Sequence, residues 1–163
     1  MPDVAREGGF TPILPRTLDH AFRGHVAAIG LLVPVVLVKS AIAFGTIFNG
    51  RAAAGKADGL PLEQFGAAGT QAVLALFAIW GVAQLAIQAF GVLALVRYRA
   101  MIPLVYVVLL LEHLVRRWTL SVRPIASAGA HPGGYINLAL VVFMLVGLAF
   151  ALWRQPMERR PRG

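Results

Sequence analysis

Six polar residues stand inside or at the edge of long apolar stretches, and these are the places where chemistry could occur: Lys39, Gln84, Glu112, His113, Arg116 and Asn137. A charge at the centre of a bilayer costs about 2.5–3.5 kcal/mol on insertion scales, so an ionisable residue in a span normally has a partner. Lys39 is the one charge between Val26 and Phe48, and Glu112 is the one carboxylate within any apolar stretch. Counted at about 1.5 Å per helical residue from the ends nearest the chain termini, Lys39 lies about 20 Å along the first stretch and Glu112 about 17 Å along the third. Gln84 and His113 both fall at about 18 Å, and Asn137 lies near the outer end of the fourth stretch. Matching depth predicts a Lys39–Glu112 ion pair, with Arg116, four residues from Glu112 and on its face, as a competing partner. The six residues are therefore expected to converge in one polar pocket. A clamp between helices is favoured for the two charges over a transport or ligand site.

Other chemistry is poorly represented. Gly50-Arg-Ala-Ala-Ala-Gly55-Lys56-Ala57 fits the phosphate-loop pattern G-x-x-x-x-G-K, but Ala57 stands where Ser or Thr would hold magnesium, and no strand precedes it. It is read as a flexible basic loop. There is no cysteine, no H-E-x-x-H and no G-x-S-x-G, and a single carboxylate in the spans leaves no paired-carboxylate arrangement. Hence no catalytic, cofactor-binding or metal-binding residue is assigned, and the chain is expected not to be an enzyme. His113, beside Arg116 and Arg117, is read as an interfacial residue. Arg116, Arg117 and Arg123, like Arg159, Arg160 and Arg162, read first as bilayer-edge anchors and second as contacts to anionic lipid headgroups. Nucleic acid is not an expected partner, because the basic residues flank apolar stretches rather than forming an exposed basic face.

The elements that must position these residues follow from composition. Of 163 residues, 58% are hydrophobic and 13% charged, with 15 Lys plus Arg against 7 Asp plus Glu and a formal charge of +8. Soluble domains are about 45–50% apolar and about 25% charged, so the chain is displaced toward a lipid-dissolved protein. A helix needs about 20 apolar residues to cross the hydrocarbon core. Spans are expected at about 26–48, 70–96, 101–118 and 135–153. The second lies in an uncharged run from Gln64 to Val96, about 50 Å as one helix and longer than a bilayer requires, so Gly66 and Gly69 are placed in a loop with Thr70 as N-cap. The third is short of apolar residues, since Glu112, His113, Arg116 and Arg117 follow Leu111, and its Pro103 sits in the first turn, where a missing N–H is tolerated. Gly81, Gln84, Gln88 and Gly91 form one narrow stripe at i, i+3, i+7, i+10 that should face protein, with the glutamines as interhelical hydrogen-bond donors.

Connections complete the architecture. Arg97-Tyr98-Arg99 is so short that the second and third spans must form an antiparallel hairpin. Asn49–Gly69 and Thr119–Gly134 are longer, Gly- and Ala-rich caps, irregular or partly mobile. Basic residues count nine on one side (Arg6, Arg16, Arg23, Arg97, Arg99, Arg154, Arg159, Arg160, Arg162) and five on the other (Arg51, Lys56, Arg116, Arg117, Arg123), which favours both termini in the cytoplasm. The tails 1–23 and 154–163 are too short and polar to bury a core, and the first span is expected to be a retained signal anchor. The fold class is therefore an all-α integral membrane protein, a four-transmembrane-helix antiparallel bundle forming one domain over 1–163. The architecture resembles small bacterial four-helix membrane proteins, and the Ala and Arg richness fits a chromosome of high GC content; the expected location is a bacterial inner membrane. The expected role is a non-enzymatic structural or binding component of the membrane or of a membrane complex. It would associate with itself or a membrane-protein partner through small-residue faces such as Ala41 with Gly45 and Gly147 with Ala151. The alternative is a small-molecule or lipid transporter or binder that uses an outer-leaflet polar pocket around Lys39 and Glu112.

Overall fold

The computed structural model describes residues 13–14, 20, 22–124 and 132–153. All regular structure among them is helical: α1 (Ala27–Phe48), a π-helical turn (Ala52–Ala57), a 3-10 turn (Leu62–Phe65), α2 (Gly66–Val96), a 3-10 turn (Arg99–Met101), α3 (Ile102–Val122) and α4 (Pro132–Leu152). The basic residues counted in the tails, apart from Arg23, lie outside the described residues, as does much of the α3–α4 connection.

Three segments are long and apolar enough to cross a membrane: Ala27–Phe48, Leu62–Val96 and Gly133–Leu152. α3 has the length, with 21 residues, but carries Glu112, Arg116 and Arg117 in its second half. Its start is as expected from Pro103, because the first turn of a helix has no partner for that N–H in any case. It continues four residues beyond Trp118.

α1 packs along α2 and α4, and α3 packs against α4 and α2. Directions follow from particular contacts. Val36 of α1 meets Gly91 and Ala43 meets Gly81, so α1 and α2 are antiparallel. The His25 N–H donates to the Phe150 carbonyl at 2.9 Å, and the Ala57 carbonyl lies against Gly133, which sets α4 antiparallel to α1. Tyr106 of α3 donates its hydroxyl to the Ala28 carbonyl at 2.8 Å, so α3 starts where α1 starts.

The stripe on α2 does face protein: Gly81, Gln84, Gln88 and Gly91 are all buried against the rest of the molecule. Packing between apolar helices in lipid gains little from the hydrophobic effect, and small residues let the backbones approach. A Cβ on Gly81 would come within 2.7 Å of Ile47 Cγ1, and one on Gly91 within 2.8 Å of Val36 Cγ2. The end of the molecule that holds the start of α1 is filled by Ala28, Leu32, Ala94, Ile102, Tyr106 and Ala151, all fully buried. Polar side chains concentrate in the other half.

Several sequence expectations are corrected. Thr70 is not an N-cap. α2 begins four residues earlier, at Gly66, whose φ of +65° turns the chain out of the 3-10 turn, and Gly69 is helical rather than loop. The buried Thr70 hydroxyl donates back to the Leu62 carbonyl at 2.7 Å, tying the turn to the helix. The phosphate-loop lookalike is not a flexible loop either: Ala52–Ala57 is a π-helical turn closed by Asp58 N–H to Ala53 carbonyl and Leu60 N–H to Ala54 carbonyl bonds. The two small-residue pairs part company. Ala41 and Gly45 are exposed, but Gly147 and Ala151 are buried inside the molecule, where a Cβ on Gly147 would overlap the Tyr106 ring and hydroxyl. The second pair is therefore consumed by internal packing.

Gly147→Val is accordingly expected to destabilise the protein by about 1–3 kcal/mol through overpacking. Gly45→Val, at a site with nothing within 4 Å of an added Cβ, should be near neutral. Thermal unfolding in detergent reads the difference, and equal losses at the two sites would contradict the packing around Tyr106.

Candidate functional site

Hydrogen bonds join all six sequence-derived residues into one cluster, directly or through Glu112 and Arg116. Each helix contributes at the level its backbone sets. Lys39 sits nine residues before the end of α1, Gln84 near the middle of α2, and Glu112 and His113 are neighbours on α3 with Arg116 one turn further on. Asn137 is in the second turn of α4.

Glu112 is the centre of the arrangement. Lys39 Nζ donates to Glu112 Oε2 at 2.8 Å, with the lysine side chain 6% exposed and the glutamate 16%. Gln84 Nε2 donates to Glu112 Oε1 at 2.6 Å, and Arg116 Nε reaches the same oxygen at 3.3 Å. One carboxylate thus takes donors from three helices. The α1 and α3 backbones touch little, so the Lys39–Glu112 bond is a long-arm connection between them.

Arg116 is the second hub. Its Nη2 lies 3.2 Å from His113 Nδ1 and donates to Asn137 Oδ1 at 3.4 Å, and the guanidinium carbon stands 5.4 Å from the Trp80 ring centroid. A guanidinium has donors only, so His113 Nδ1 must be the acceptor and the ring carries its proton on Nε2. His113 is 2% exposed, which corrects its reading as an interfacial residue. Arg116 is likewise turned inward rather than anchored at an edge, because a carboxylate and a ring face one turn away offer better partners than solvent does. Arg117 and Arg123 remain exposed.

The glutamines differ. Gln84 makes the bond expected of it, whereas Gln88, 1% exposed, has neither its amide nitrogen nor its oxygen bonded among the described residues.

A cavity of about 130 Å³ adjoins the cluster. Its deep wall is formed by Lys39, Ala43, Gln84 and Leu140, and Trp80, Arg116 and Asn137 form the middle. At the end nearest the helix termini it is bounded by Ala57, Asp58 and Gly133. Sequence reasoning missed Trp80 and Asp58. Trp80 had a signal, since it stands one turn before Gln84 on the same helix; Asp58 had none, because only the π-helical turn carries it over α4. Among the described residues no three His, Asp or Glu side chains converge.

No known protein family, curated protein or solved structure matches the chain.

Removing one partner of a buried pair leaves an uncompensated charge, at about 3–5 kcal/mol, whereas replacing both by apolar groups is often neutral. Lys39→Met and Glu112→Leu are each expected to lower the unfolding temperature strongly, and the double variant should recover most of the loss. Additive losses in that cycle would mean that the two side chains do not interact.

Proposed function

We propose that this chain is a multi-pass integral membrane protein with four transmembrane helices in an antiparallel bundle and both tails in the cytoplasm. Its role is that of a non-enzymatic structural or binding component of a bacterial inner membrane or of a membrane complex. One observation carries the proposal: Glu112 of α3 is bonded to Lys39 of α1, Gln84 of α2 and Arg116 of its own helix. Neutralised in this way, the charges that make α3 the least apolar helix cease to bar it from the hydrocarbon core. The exposed Arg117 and Trp118 then fall in its last two turns and Arg123 just past its end, where basic and aromatic side chains suit a membrane interface.

The same bonds favour a structural role for the ion pair. A carboxylate that cycles protons in transport has to release its partners, and here three donors hold it together. Anionic lipid headgroups at the basic helix ends, and a second copy or another membrane protein against the exposed Ala41–Gly45 face, are the partners proposed. A second reading, a transporter or binder of a small molecule or lipid, is favoured by the cavity beside Arg116.

Because the chain has no cysteine, topology can be read with single substitutions. In spheroplasts an impermeant maleimide should label Lys56→Cys, whereas Glu7→Cys and Glu158→Cys should react only after permeabilisation. Labelling of the two tails from opposite sides would require an odd number of spans and remove α3 from the membrane. Mild extraction should yield a complex larger than one 17.4 kDa chain. A monomer that catalyses proton-coupled flux in vesicles would instead establish the transport reading.

A further inference from the structure

The polar cluster turns its cations toward the cavity. Lys39 and Arg116 line it, whereas Glu112, to which both are bonded, is not among the lining residues. The other charge in the lining, Asp58, has an interaction of its own. Its Oδ1 lies 3.3 Å from where a Cβ on Gly133 would stand, beside the first turn of α4, where a helix dipole offsets a carboxylate.

Both cations keep capacity for a further partner. The Lys39 ammonium has three hydrogens and gives one to Glu112. Arg116 reaches that carboxylate at 3.3 Å, and its Nη2 faces two neutral acceptors at 3.2 and 3.4 Å. A guanidinium makes its strongest contacts as short, bidentate pairs with a planar oxyanion. Two cations on one carboxylate also leave the Lys39–Glu112–Arg116 group with one positive charge in excess, which among apolar helices a single monoanion would neutralise.

The rest of the wall sets the body of the ligand. Ile42, Ala43, Ile136 and Leu140 are apolar, which suits an organic anion better than a strongly hydrated inorganic one. The cavity of about 130 Å³ is close to the about 150 Å³ that holds a molecule the size of benzene, so roughly six heavy atoms fit inside. Ile42 and Ile136 are also exposed on the outer surface of α1 and α4, so a longer chain can leave past them.

Deepening the second reading above, we propose that this cavity binds an aliphatic monocarboxylate, its carboxylate on Arg116 and Lys39 and its alkyl chain against Ile42, Ile136 and Leu140. The carboxylate is the chemistry common to a short acid and a fatty acid, and chain length separates the two.

Trp80 lines the cavity, and the other two tryptophans, Trp118 and Trp153, are exposed. The full chain carrying Trp118→Phe and Trp153→Phe therefore reports on the cavity by its fluorescence. Titration in detergent with sodium butyrate should give a saturable change. Binding of 1-butanol, butylammonium or inorganic phosphate should be weaker by at least about tenfold, the scale of one charge-assisted hydrogen bond. Octanoate binding as tightly as butyrate or more so assigns the site to fatty acids, and weaker binding assigns it to short acids; both support the proposal. Arg116→Gln should weaken butyrate by at least about tenfold. Leu140→Phe, which fills the deep end, should remove binding without lowering the unfolding temperature, and it carries the test if Arg116→Gln does not fold. Butyrate binding that survives Leu140→Phe, or that 1-butanol matches, would overturn the proposal. A saturable response to butylammonium or phosphate with none to butyrate would overturn the carboxylate and keep a small-molecule site, whereas silence from every probe would remove the second reading as well.

Discussion

A carboxylate among apolar helices has no water to solvate it, and its environment must supply the missing bonds or the helix that carries it will not stay there. Glu112 receives those bonds from Lys39, Gln84 and Arg116. That requirement fixes relations that apolar packing alone leaves loose, because side chains such as Leu and Val would accept several rotations and shifts of one helix against another. Donors on three helices must arrive at one pair of oxygens. The rotation of α3, the facing of the α2 stripe and the level of Lys39 on α1 are thereby set together.

Around this polar centre the two halves of the molecule follow different rules. The half near the start of α1 is held by close packing, with Tyr106 filling the space that Gly147 leaves and bonding its hydroxyl to Ala28. The other half trades packing for polarity. Lys39, Gln84, His113 and Arg116 occupy positions where a fully apolar core would place aliphatic side chains, and a cavity remains beside them. Buried polar clusters of this kind are seldom the most stable filling of a core. What they provide is a defined register and a set of directed hydrogen-bonding groups, which a binding component requires and a passive span does not.

Arg116 shows how one residue links these levels. On the sequence it is one of several arginines near the end of an apolar stretch, and edge anchoring explains such residues well. In the fold it lies one turn from Glu112, over Trp80 and against Asn137, so it joins α2, α3 and α4. Arg117, one residue further and about 100° around the helix, is exposed. Their difference is a matter of helix phase relative to neighbours that a single sequence does not place.

The helices and the level of each polar residue were legible in the spacing of the chain. Hydrophobic runs set the α1 and α4 limits to within a few residues, the Arg97–Arg99 connection fixed the α2–α3 hairpin, and rise per residue placed Lys39, Gln84 and Glu112 at one depth. Those are local or one-dimensional properties, read from chain spacing alone. Where local signals misled, as at Thr70 and Gly69, a 3-10 turn held by a hydroxyl to Leu62 outweighed the usual meaning of Gly and Thr near a helix start. Contacts between helices set the rest: which polar residues touch, that His113 is buried, that Gln88 finds no partner among the described residues, that Gly147 and Ala151 face inward, and that Asp58 lines a cavity. Each of these depends on the rotation and lateral placement of helices distant in sequence, and apolar runs, being nearly uniform around the helix, carry little record of which face turns inward.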